Sequence, residues 1–578
     1  PASEHGSLQG VKISTAESRQ NAKSRINHIT PAVPDTNNPC RWTKETLFQA
    51  LKLNQIEVSM TNEELARLQE VLWKHRSCFA VDKDDFGRCN MFESHIQLKQ
   101  NHIPSWTPER KVPYHLEHHM DKLLGNMLDT GVVEPLKTDS RWNSPLFLVA
   151  KSTPDSYRVV SDLRGVNKQC VPDKYDLPNL NYVLDKIGGD SMFSTFDMAA
   201  SFHQVPYDED SKPITAFTYK GKRYNFARMI MGHCDSSAAF SKMMHKLLAF
   251  TNITNLVYFL DDLLIGSKDV ASHIDRLEIL LKQLESANLK LTPSKTSLLR
   301  KKVQYVGVTL SSEGININED RVKAIMDLPA PSTKKETQRV LGTLGYNRRF
   351  VKGYSAMSKP LYDLLRRDTK FLWTTECQRS FEQLKAAIST NTTLCFPDVA
   401  DPKNSYQVEI DASQFGLAST LSQVIDGERR IVGYFSKSVP RHKKQWGQTK
   451  LEFESLCASL KHWDVYLRGA QTFKVVTDCK SLLNLDTIFK NNPTMIRRFE
   501  QLSNYNFVLE HIAGKLNLVP DFLSRFGMKV KEHNKGTQTE ELPELQSRVN
   551  QLTTEHTEPQ ETVSHSESPQ DNQPSDLA

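Results

Sequence analysis

The feature that most constrains the fold of this chain is a pair of aspartates between two short apolar runs. The segment 255–266 reads NLVYFLDDLLIG, with Asp261 and Asp262 at its centre. Short runs of β-branched, aromatic and leucine residues on either side of turn-forming residues favour a β-hairpin, and aspartate is common in turns. We therefore expect a hairpin that presents both carboxylates at its turn. Taken alone, the pattern also fits an ordinary aspartate-containing turn.

A second apolar run ends at a carboxylate in the segment 192–197, MFSTFD. Phosphoryl transfer to a hydroxyl group commonly uses two magnesium ions about 3.5–4 Å apart, and Mg²⁺ prefers oxygen ligands. One aspartate at the end of a strand and two on a neighbouring hairpin could supply these ligands. Asp197, Asp261 and Asp262 are therefore candidate metal-binding and catalytic residues.

Four further acids stand near the ends of predicted elements in the C-terminal half. Asp411 ends an alternating run, Glu452 lies near the start of a helical pattern, Asp478 follows an apolar strand, and Asp521 opens a short helix. Individually, each is more often a helix cap or a solvated acid. In this order they could form a second two-magnesium site, which would activate water against a phosphodiester.

Charge and cysteine usage narrow the class of protein. The chain carries a net charge of +6, but residues 531–578 hold ten acidic and three basic residues and carry −7. The other 530 residues therefore carry +13. A basic surface of this kind could bind a phosphate-rich partner, or it could simply be solvated. No apolar run reaches the roughly 18 residues of a membrane span. The nine cysteines are never spaced Cys-x-x-Cys, so we expect reduced thiols and neither a zinc site nor a disulfide framework.

Composition and periodicity divide the chain into six predicted segments. They are a disordered or linker segment 1–40, an N-terminal helical extension 41–95, a mixed α and β unit 96–315, a helix-rich segment 316–398, a second α and β unit 399–528, and a disordered acidic tail 529–578. Within the extension, Thr61 and Glu64 have capping-box spacing. Leu65, Leu68 and Leu72 mark one face of the helix that follows.

Ordered motifs along the chain resemble those of gypsy-class long-terminal-repeat retrotransposon Pol polyproteins. Besides the aspartate segments, the motifs are GVVEP at 131–135, NSPLFLVAK at 143–151, YRVVSDLRGVN at 157–167, VQYVG at 303–307 and LGTLGYNRRF at 341–350. The resemblance runs from about Asp85 to Phe526. It implies an α+β multidomain chain: a right-hand polymerase with fingers and palm at 96–315, thumb and connection at 316–398, and a ribonuclease H-like α/β domain at 399–528.

The resemblance assigns roles to particular residues. The three aspartates of the first site match the metal ligands of the polymerase palm. The implied substrate-binding residues are Lys151, Arg158, Phe202 and Gly232. Lys151 and Arg158 match residues that bind the incoming triphosphate, and Phe202 matches an aromatic gate that excludes a ribose 2′-hydroxyl. Without the resemblance, Lys151 could be solvated, Arg158 could pair with Asp162, and Phe202 could belong to the core.

The chain also departs from the family pattern. Phe259 stands where a tyrosine usually precedes the catalytic pair. The loop 229–240 keeps its glycine but lacks four usual residues: proline and phenylalanine at Ile230 and Met231, and asparagine and proline at Asp235 and Ser237. These positions line the nucleotide and template pocket. Because the metal ligands are unchanged, we expect the enzyme to be active.

The C-terminal acids resemble the ligands of the family's ribonuclease H domain. The spacing to Tyr466 and Leu467 favours Glu452 over Glu454, which stays an alternative. We expect His511, near the last strand, to have a structural role.

The resemblance implies an RNA-directed DNA polymerase with ribonuclease H activity. The implied cofactor is Mg²⁺, with Mn²⁺ as a substitute. The implied partners are an RNA template, a DNA or tRNA primer, RNA–DNA hybrid and dNTPs, without a membrane and with homo-oligomerisation left open. It places the protein in the cytoplasm, within virus-like particles, with its product delivered to the nucleus.

Two other functions remain open at this point. One is a nucleic-acid-binding protein without catalysis, such as a decayed or host-adopted copy, and the other is a scaffold recruited through the acidic tail. The presence of all seven acids favours the enzyme. Because the sequence shows no integrase-type zinc module and begins at Pro1, we expect a piece of a longer Pol protein.

Overall fold

The computed structural model describes residues 41–151, 153–175, 179–249, 251, 253, 255–398, 405–443, 445–484, 498 and 501–512. The chain forms two compact units, which divide between Asn318 and Glu319. Both predicted disordered segments, 1–40 and 529–578, lie outside the described residues, and so does Asp521.

The first unit mixes helices with short strands. Its helices are α1 Lys44–Ala50, α2 Asn62–Lys74, α3 Tyr114–Asp129, α4 Arg164–Gln169, α5 Leu180–Asp185, α6 Ser236–Leu248 and α7 Val270–Ser286. Its strands are β1 Val133–Pro135, β2 Leu146–Ala150, β3 Tyr157–Ser161, β4 Met192–Asp197, β5 Phe217–Tyr219, β6 Lys222–Phe226, β7 Leu256–Phe259, β8 Asp262–Ser267, β9 Ser297–Arg300, β10 Lys302–Tyr305, β11 Val308–Ser311 and β12 Gly314–Ile317.

Helix α2 begins where the sequence predicts. The Thr61 hydroxyl accepts a hydrogen bond from Glu64 N–H at 3.2 Å, and the Glu64 carboxylate accepts one from Thr61 N–H at 2.8 Å. Two otherwise unpaired N–H groups at the helix start are thereby satisfied. Leu68 and Leu72 are buried and Leu65 is half-buried, so the predicted apolar face is confirmed.

The central sheet of the first unit has the strand order β7-β8-β4-β9 and is antiparallel. Phe196 of β4 and Ile265 of β8 share one buried cluster with Ile274 and Leu277 of α7. Burial of each such side chain contributes about 1.5–3 kcal/mol. This packing fixes the sheet whose end carries the first acidic site.

The predicted aspartate hairpin is confirmed, with one difference. Phe259 pairs with Asp262, so the connection between β7 and β8 is only Leu260 and Asp261. Asp262 is thus the first residue of β8 and not part of the turn. Backbone pairing decides this, because residues in register across the hairpin belong to the ladder whatever their turn propensity.

The second unit joins a helical segment to a sheet. Its helices are α8 Glu319–Met326, α9 Lys334–Tyr346, α10 Tyr354–Leu364, α11 Thr375–Ser389, α12 Gln448–His462 and α13 Asp464–Leu467. Its strands are β13 Tyr406–Ala412, β14 Gly416–Ile425, β15 Glu428–Ser438, β16 Phe473–Thr477 and β17 Phe507–His511. The predicted helix-rich stretch before residue 398 is confirmed by α8 to α11.

The five-stranded sheet of the second unit has the order β15-β14-β13-β16-β17. The first three strands are antiparallel neighbours, whereas β13, β16 and β17 run parallel. Phe453, Leu456 and Leu460 of α12 join the buried cluster of this sheet. None of the helices within the described ranges has the length and apolar character that a membrane crossing requires.

Candidate active sites

Three carboxylates meet at one end of the central sheet. Asp197, the last residue of β4, lies directly opposite Asp262, the first residue of β8. Asp261 occupies the turn between β7 and β8; its carbonyl accepts a hydrogen bond from Met198 N–H at 3.2 Å, and its carboxylate accepts one from Ser201 Oγ at 3.3 Å. The fold therefore brings together the three aspartates that the sequence singled out.

The turn that carries Asp261 holds an unusual backbone conformation. Leu260 has a φ of 54°, in the left-handed region that residues with a Cβ seldom adopt. Such a conformation costs on the order of 1–3 kcal/mol and persists only where the surrounding structure enforces it. Here the short connection between two paired strands enforces it.

The three aspartates form a concentrated negative charge. The pKa of Asp262 is raised to about 6, first by burial and then by the charges of Asp261 and Asp197. Lys295 Nζ opposes this effect, donating to the two Asp197 oxygens at 3.0 and 3.1 Å. Sequence reasoning did not single out Lys295, which stands 98 residues from its partner in the sequence.

A cavity of about 350 Å³ opens beside these groups, lined by Asp197, Asp262, Lys295 and Tyr305 among others. The buried Tyr305 hydroxyl donates a hydrogen bond to the Asp262 carbonyl at 3.1 Å. Tyr305 lies in the VQYVG segment, so this motif supports the acidic strand end directly.

The two predicted triphosphate-binding cations lie on a separate hairpin formed by β2 and β3. Arg158 pairs with Val149 in register, and Lys151 N–H donates to the Ser156 carbonyl at 2.7 Å. Because side chains alternate along a strand, Lys151 and Arg158 belong to the same face of this hairpin. Both are exposed, and neither makes an ion pair within the described chain.

The alternative partner for Arg158 is taken by another residue. The Asp162 carboxylate accepts hydrogen bonds from Arg164 Nε at 2.8 Å and from Arg164 Nη2 at 2.6 Å. This contact lowers the pKa of Asp162. Arg158 is thereby left available for a ligand.

Phe202 follows β4 in a short 3₁₀ turn and is half-buried. Its ring meets Phe240 of α6 edge-on, with 5.8 Å between centroids. The Phe202 side chain therefore packs against the core, as expected for a core residue, while part of its surface stays exposed.

Gly232 adopts a φ of 96°, which favours glycine. Its carbonyl accepts a hydrogen bond from the Asn167 side chain at 2.9 Å, and Cys234 N–H donates to the Asn167 amide oxygen at 3.0 Å. Asn167 thus fixes the loop from both sides. Its position in the 157–167 motif was a signal, although the sequence alone did not indicate this role.

A second set of acids forms in the sheet of the second unit. Strand β13 pairs in parallel with β16, with Glu409 opposite Val476, so Asp411 and Asp478 stand level at the carboxyl ends of these strands. The pKa of Asp411 is raised by desolvation and by the charge of Asp478. Glu452, on the adjoining α12, completes the set.

Glu452 is fully buried. Its Oε1 accepts hydrogen bonds from Ala412 N–H at 3.2 Å and from the Gln448 side chain at 2.8 Å, while its Oε2 has no hydrogen-bond partner. Burial, then the charges of Asp478 and Asp411, raise its pKa to about 7. A buried carboxylate oxygen without a partner, beside two other acids, fits a site for a divalent cation.

Two contacts favour Glu452 over the alternative, Glu454, as a candidate ligand. The Glu454 carboxylate is held by Lys443 at 2.6 Å and by Arg498, so its charge is already neutralised. Gln448 was missed by sequence reasoning; its amide bridges Glu452 and the Ala412 carbonyl, which it reaches at 2.7 Å. Its position four residues before Glu452 on one helix face was the available signal.

The remaining predictions for this unit have two outcomes. His511 ends β17 opposite Thr477 and is exposed. Asp521 lies outside the described residues.

The described carboxylates of each acidic set are not all in mutual contact. Among the described residues, neither set has three ligand atoms that all lie within 4.8 Å of one another. Repulsion between carboxylates opposes a closer approach.

Comparisons with known proteins agree with this geometry. Residues 149–310 match the family described as "Reverse transcriptase (RNA-dependent DNA polymerase)", and residues 373–475 match "RNase H-like domain found in reverse transcriptase". Enzymes with these two domains generally depend on divalent metal ions.

Curated relatives are similar over most of the chain. The retrovirus-related Pol polyprotein from transposon 297 of Drosophila melanogaster is 28% identical over 535 residues, which is 92% of this chain and 49% of the relative. That from transposon gypsy is 27% identical over 418 residues, covering 69% and 39%. The chain therefore spans about half the length, or less, of these relatives.

A solved structure of foamy viral protease-reverse transcriptase in complex with double-stranded DNA shares the fold. Its TM-score is 0.71, with 23% identity and 84% of each chain covered. A second structure of that protein, in complex with RNA/DNA hybrid, has a TM-score of 0.68 at 22% identity, covering 86% of this chain and 66% of the other. The chain carries a reverse transcriptase domain and an RNase H-like domain, and it is similar over most of its length to retrovirus-related Pol polyproteins of transposons.

Proposed function

We propose that this chain copies retrotransposon RNA into DNA and degrades the RNA strand of the resulting RNA–DNA hybrid. The observation that carries the proposal is the placement of Asp197 opposite Asp262, with Asp261 at the adjoining turn. The set formed by Asp411, Glu452 and Asp478 supports the second activity.

The acids of both sites fit divalent cations, and Mg²⁺ is the proposed cofactor, with Mn²⁺ as a substitute. When bound, paired metal ions activate the attacking oxygen and neutralise the charge that develops on the phosphate. In the first site, Asp197, Asp261 and Asp262 would hold the ions. In the second, Asp411, Glu452 and Asp478 would do so, together with Asp521.

Four other residues of the first unit bind and select the nucleotide. Lys151 and Arg158, cationic and without acidic partners in the described chain, attract the triphosphate of an incoming dNTP. Phe202 offers its open ring surface to the sugar and excludes a 2′-hydroxyl by its bulk. Gly232 brings its backbone close to the nucleotide without a side chain.

The proposed partners are an RNA template, a DNA or tRNA primer, dNTPs and RNA–DNA hybrid. Double-stranded DNA and RNA/DNA hybrid are the ligands of the foamy viral structures, and the basic charge of residues 1–530 suits them. We further propose a location in cytoplasmic virus-like particles, with the product delivered to the nucleus. The proposal leaves homo-oligomerisation open.

Separation of the two activities tests the proposal. Primer extension on a homopolymer RNA template and cleavage of an RNA–DNA hybrid are measured for the same preparations. The Asp261→Asn, Asp262→Asn double variant should lose extension and keep cleavage, whereas Asp478→Asn should do the reverse. Extension that survives the double substitution would show that the metal ligands are assigned wrongly.

The same assays distinguish the enzyme from the two alternative functions. A nucleic-acid-binding protein without catalysis would retain the duplex and extend no primer at any divalent-ion concentration. A scaffold that works through its acidic tail would depend on residues 531–578. For the enzyme, deletion of that tail should change synthesis by less than about twofold, since no ligand of either site lies in it.

A further inference from the structure

A group formed by two thiols and an imidazole shares no residue with either acidic site. Cys170, which follows α4, and His233 and Cys234, in the loop before α6, place one ligand atom each within 4.8 Å of one another. Cys170 and His233 are buried, whereas Cys234 is exposed. Within the part of the chain that the structure describes, no other three His, Cys, Asp or Glu side chains bring their ligand atoms this close together.

The distances match those of a tetrahedral metal site. His233 Nε2 lies 3.5 Å from Cys170 Sγ and 3.9 Å from Cys234 Sγ. Zinc–sulfur bonds of about 2.3 Å and zinc–nitrogen bonds of about 2.0 Å at tetrahedral angles separate N and S by about 3.6 Å. An ion could therefore enter with small side-chain shifts. We propose that Cys170, His233 and Cys234 form a binding site for a thiophilic divalent ion of the zinc class.

The chemistry of the donors selects against the cofactor of the acidic sites. Thiolate and imidazole ligands favour Zn²⁺ and similar ions, whereas Mg²⁺ requires hard oxygen ligands. Three protein ligands leave one tetrahedral position for water or an exogenous ligand. Cys234 is exposed, so that position can be reached from solvent.

Metal binding must change the positions of protons on all three side chains. Both thiols release a proton when they bind the ion, including the Cys170 thiol that now donates to the Val166 carbonyl at 3.3 Å. His233 Nδ1 accepts a 3.4 Å hydrogen bond from Asp235 N–H, so its ring proton is on Nε2, facing the sulfurs. Binding through Nε2 moves that proton to Nδ1 and opens the Asp235 contact.

The ion would link two segments that already touch. Asn167 of α4 holds Gly232 and Cys234 through its side-chain amide, and Cys170 directly follows the same helix. A metal ion bound by all three side chains would connect α4 to this loop through coordination bonds. Occupancy should therefore order the loop beside Gly232.

Cobalt substitution in the full-length chain tests the proposal independently of polymerase activity. Co²⁺ is titrated with excess Mg²⁺ present and a phosphine reductant, which prevents a Cys170–Cys234 disulfide. Carboxylate sites give no thiolate-to-cobalt charge-transfer band, so that band distinguishes thiolate ligation from metal bound at the acidic sites. We expect one Co²⁺ per chain, displaced by Zn²⁺.

Single substitutions identify the ligands. Since loss of an outer-shell contact already costs about 10–100-fold in metal affinity, Cys234→Ser and His233→Asn should each weaken Co²⁺ binding by more than about 100-fold. Cys89→Ser, a buried cysteine elsewhere in the same unit, should leave binding unchanged. Cys234 is exposed, so its variant keeps the fold, which circular dichroism checks.

Hydrogen exchange supplies a second readout. The amides of His233 and Cys234 should exchange more slowly with Zn²⁺ in the wild-type chain and at an unchanged rate in Cys234→Ser. The proposal is overturned if no thiolate band forms at one equivalent of Co²⁺, or if the band persists in both Cys234→Ser and His233→Asn. None of these outcomes depends on primer extension or hybrid cleavage, so the test of the metal site is independent of the proposed function.

Discussion

Lys295 donates to both carboxylate oxygens of Asp197, at 3.0 and 3.1 Å, and so places a positive charge within the acidic set of the first unit. A cation at this position lowers the repulsion among the aspartates. It also competes for Asp197 with any metal ion that approaches. The contact therefore connects the local electrostatics of the site with its metal requirement.

Removing this cation should change the metal dependence of extension. With Lys295→Met, Asp197 is free to bind an ion, so half-maximal extension should need a lower Mg²⁺ concentration, by about twofold to tenfold. The pKa of Asp262 should rise, because Lys295 holds it down, and the acidic limb of the pH profile should move to higher pH. Lys301→Met is a control. An unchanged Mg²⁺ requirement and pH profile would contradict this role.

Asp262 should reduce stability while it supports function. Its pKa in the fold, about 6, exceeds its ordinary value of 3.8, so the ionised form is disfavoured by folding. This penalty is complete above pH 6 and disappears below about pH 3.8. In the absence of divalent ions at pH 8, Asp262→Asn should raise the free energy of unfolding by about 1–2 kcal/mol, a value discounted for partial solvent exposure.

Urea denaturation in chelator measures that change, and extension assays of the same protein should show no activity. The difference between variant and wild type should shrink as pH falls from 6 toward 4. A variant less stable than wild type at pH 8 would show that Asp262 is held by favourable contacts rather than by an enforced charge cluster.

Neighbouring glutamates of α12 should respond in opposite ways to the same substitution. Glu452→Gln removes the buried carboxylate beside Asp411 and Asp478, and hybrid cleavage should fall by a factor on the order of 10²–10⁴. Glu454→Gln should retain cleavage within a few-fold. It should instead destabilise the domain, because Lys443 and Arg498 lose their acidic partner.

The two variants control for each other, since they share the helix, the charge change and the side-chain volume. Cleavage rates and thermal unfolding are measured together for both proteins. Equal loss of cleavage in the two variants would remove the reason for preferring Glu452.

Two histidines with lowered pKa values should make the first unit sensitive to acid. Burial lowers the pKa of His203 and of His273 to about 4. His273 bridges β4 and β8, with Nε2 2.7 Å from Ser194 Oγ and Nδ1 2.7 Å from Ser267 Oγ. The unfolded chain binds protons below about pH 6.5, and the folded chain only near pH 4. Stability is therefore full above pH 6.5 and lost as pH falls through 4.

Urea midpoints at pH 7.5, 6 and 5 should decrease in that order. His273→Gln should lower the midpoint at pH 7.5 and flatten its decrease with pH. His245→Gln, at an exposed position on α6, should leave both unchanged. A pH slope that survives in the His203 and His273 variants would assign the acid sensitivity to other groups.

Local patterns in the sequence predicted the elements that carry the sites. Thr61 and Glu64 indicated the start of α2 because a capping box depends only on residues close in sequence. The apolar runs around Asp261 and Asp262 indicated a hairpin, alternation indicated the strand that delivers Asp411, and apolar runs indicated those that deliver Asp197 and Asp478. These features follow from backbone geometry over a few residues.

Contacts between distant residues could not be predicted in this way. Lys295 reaches Asp197 from 98 positions away, and Cys170 meets His233 from 63 positions away, so no spacing rule signals either pair. For the same reason, cysteine spacing predicted no zinc site, whereas the folded chain brings two thiols and an imidazole together.

The sequence by itself determined which acids stand at the ends of strands and helices, because those signals are local. Only the tertiary structure decided which acids lie close together. It buried Glu452 next to Asp411 and Asp478, paired Glu454 with cations, and put Asp262 in the strand ladder opposite Asp197. Packing and strand register set these relationships, and both depend on residues far apart in the chain.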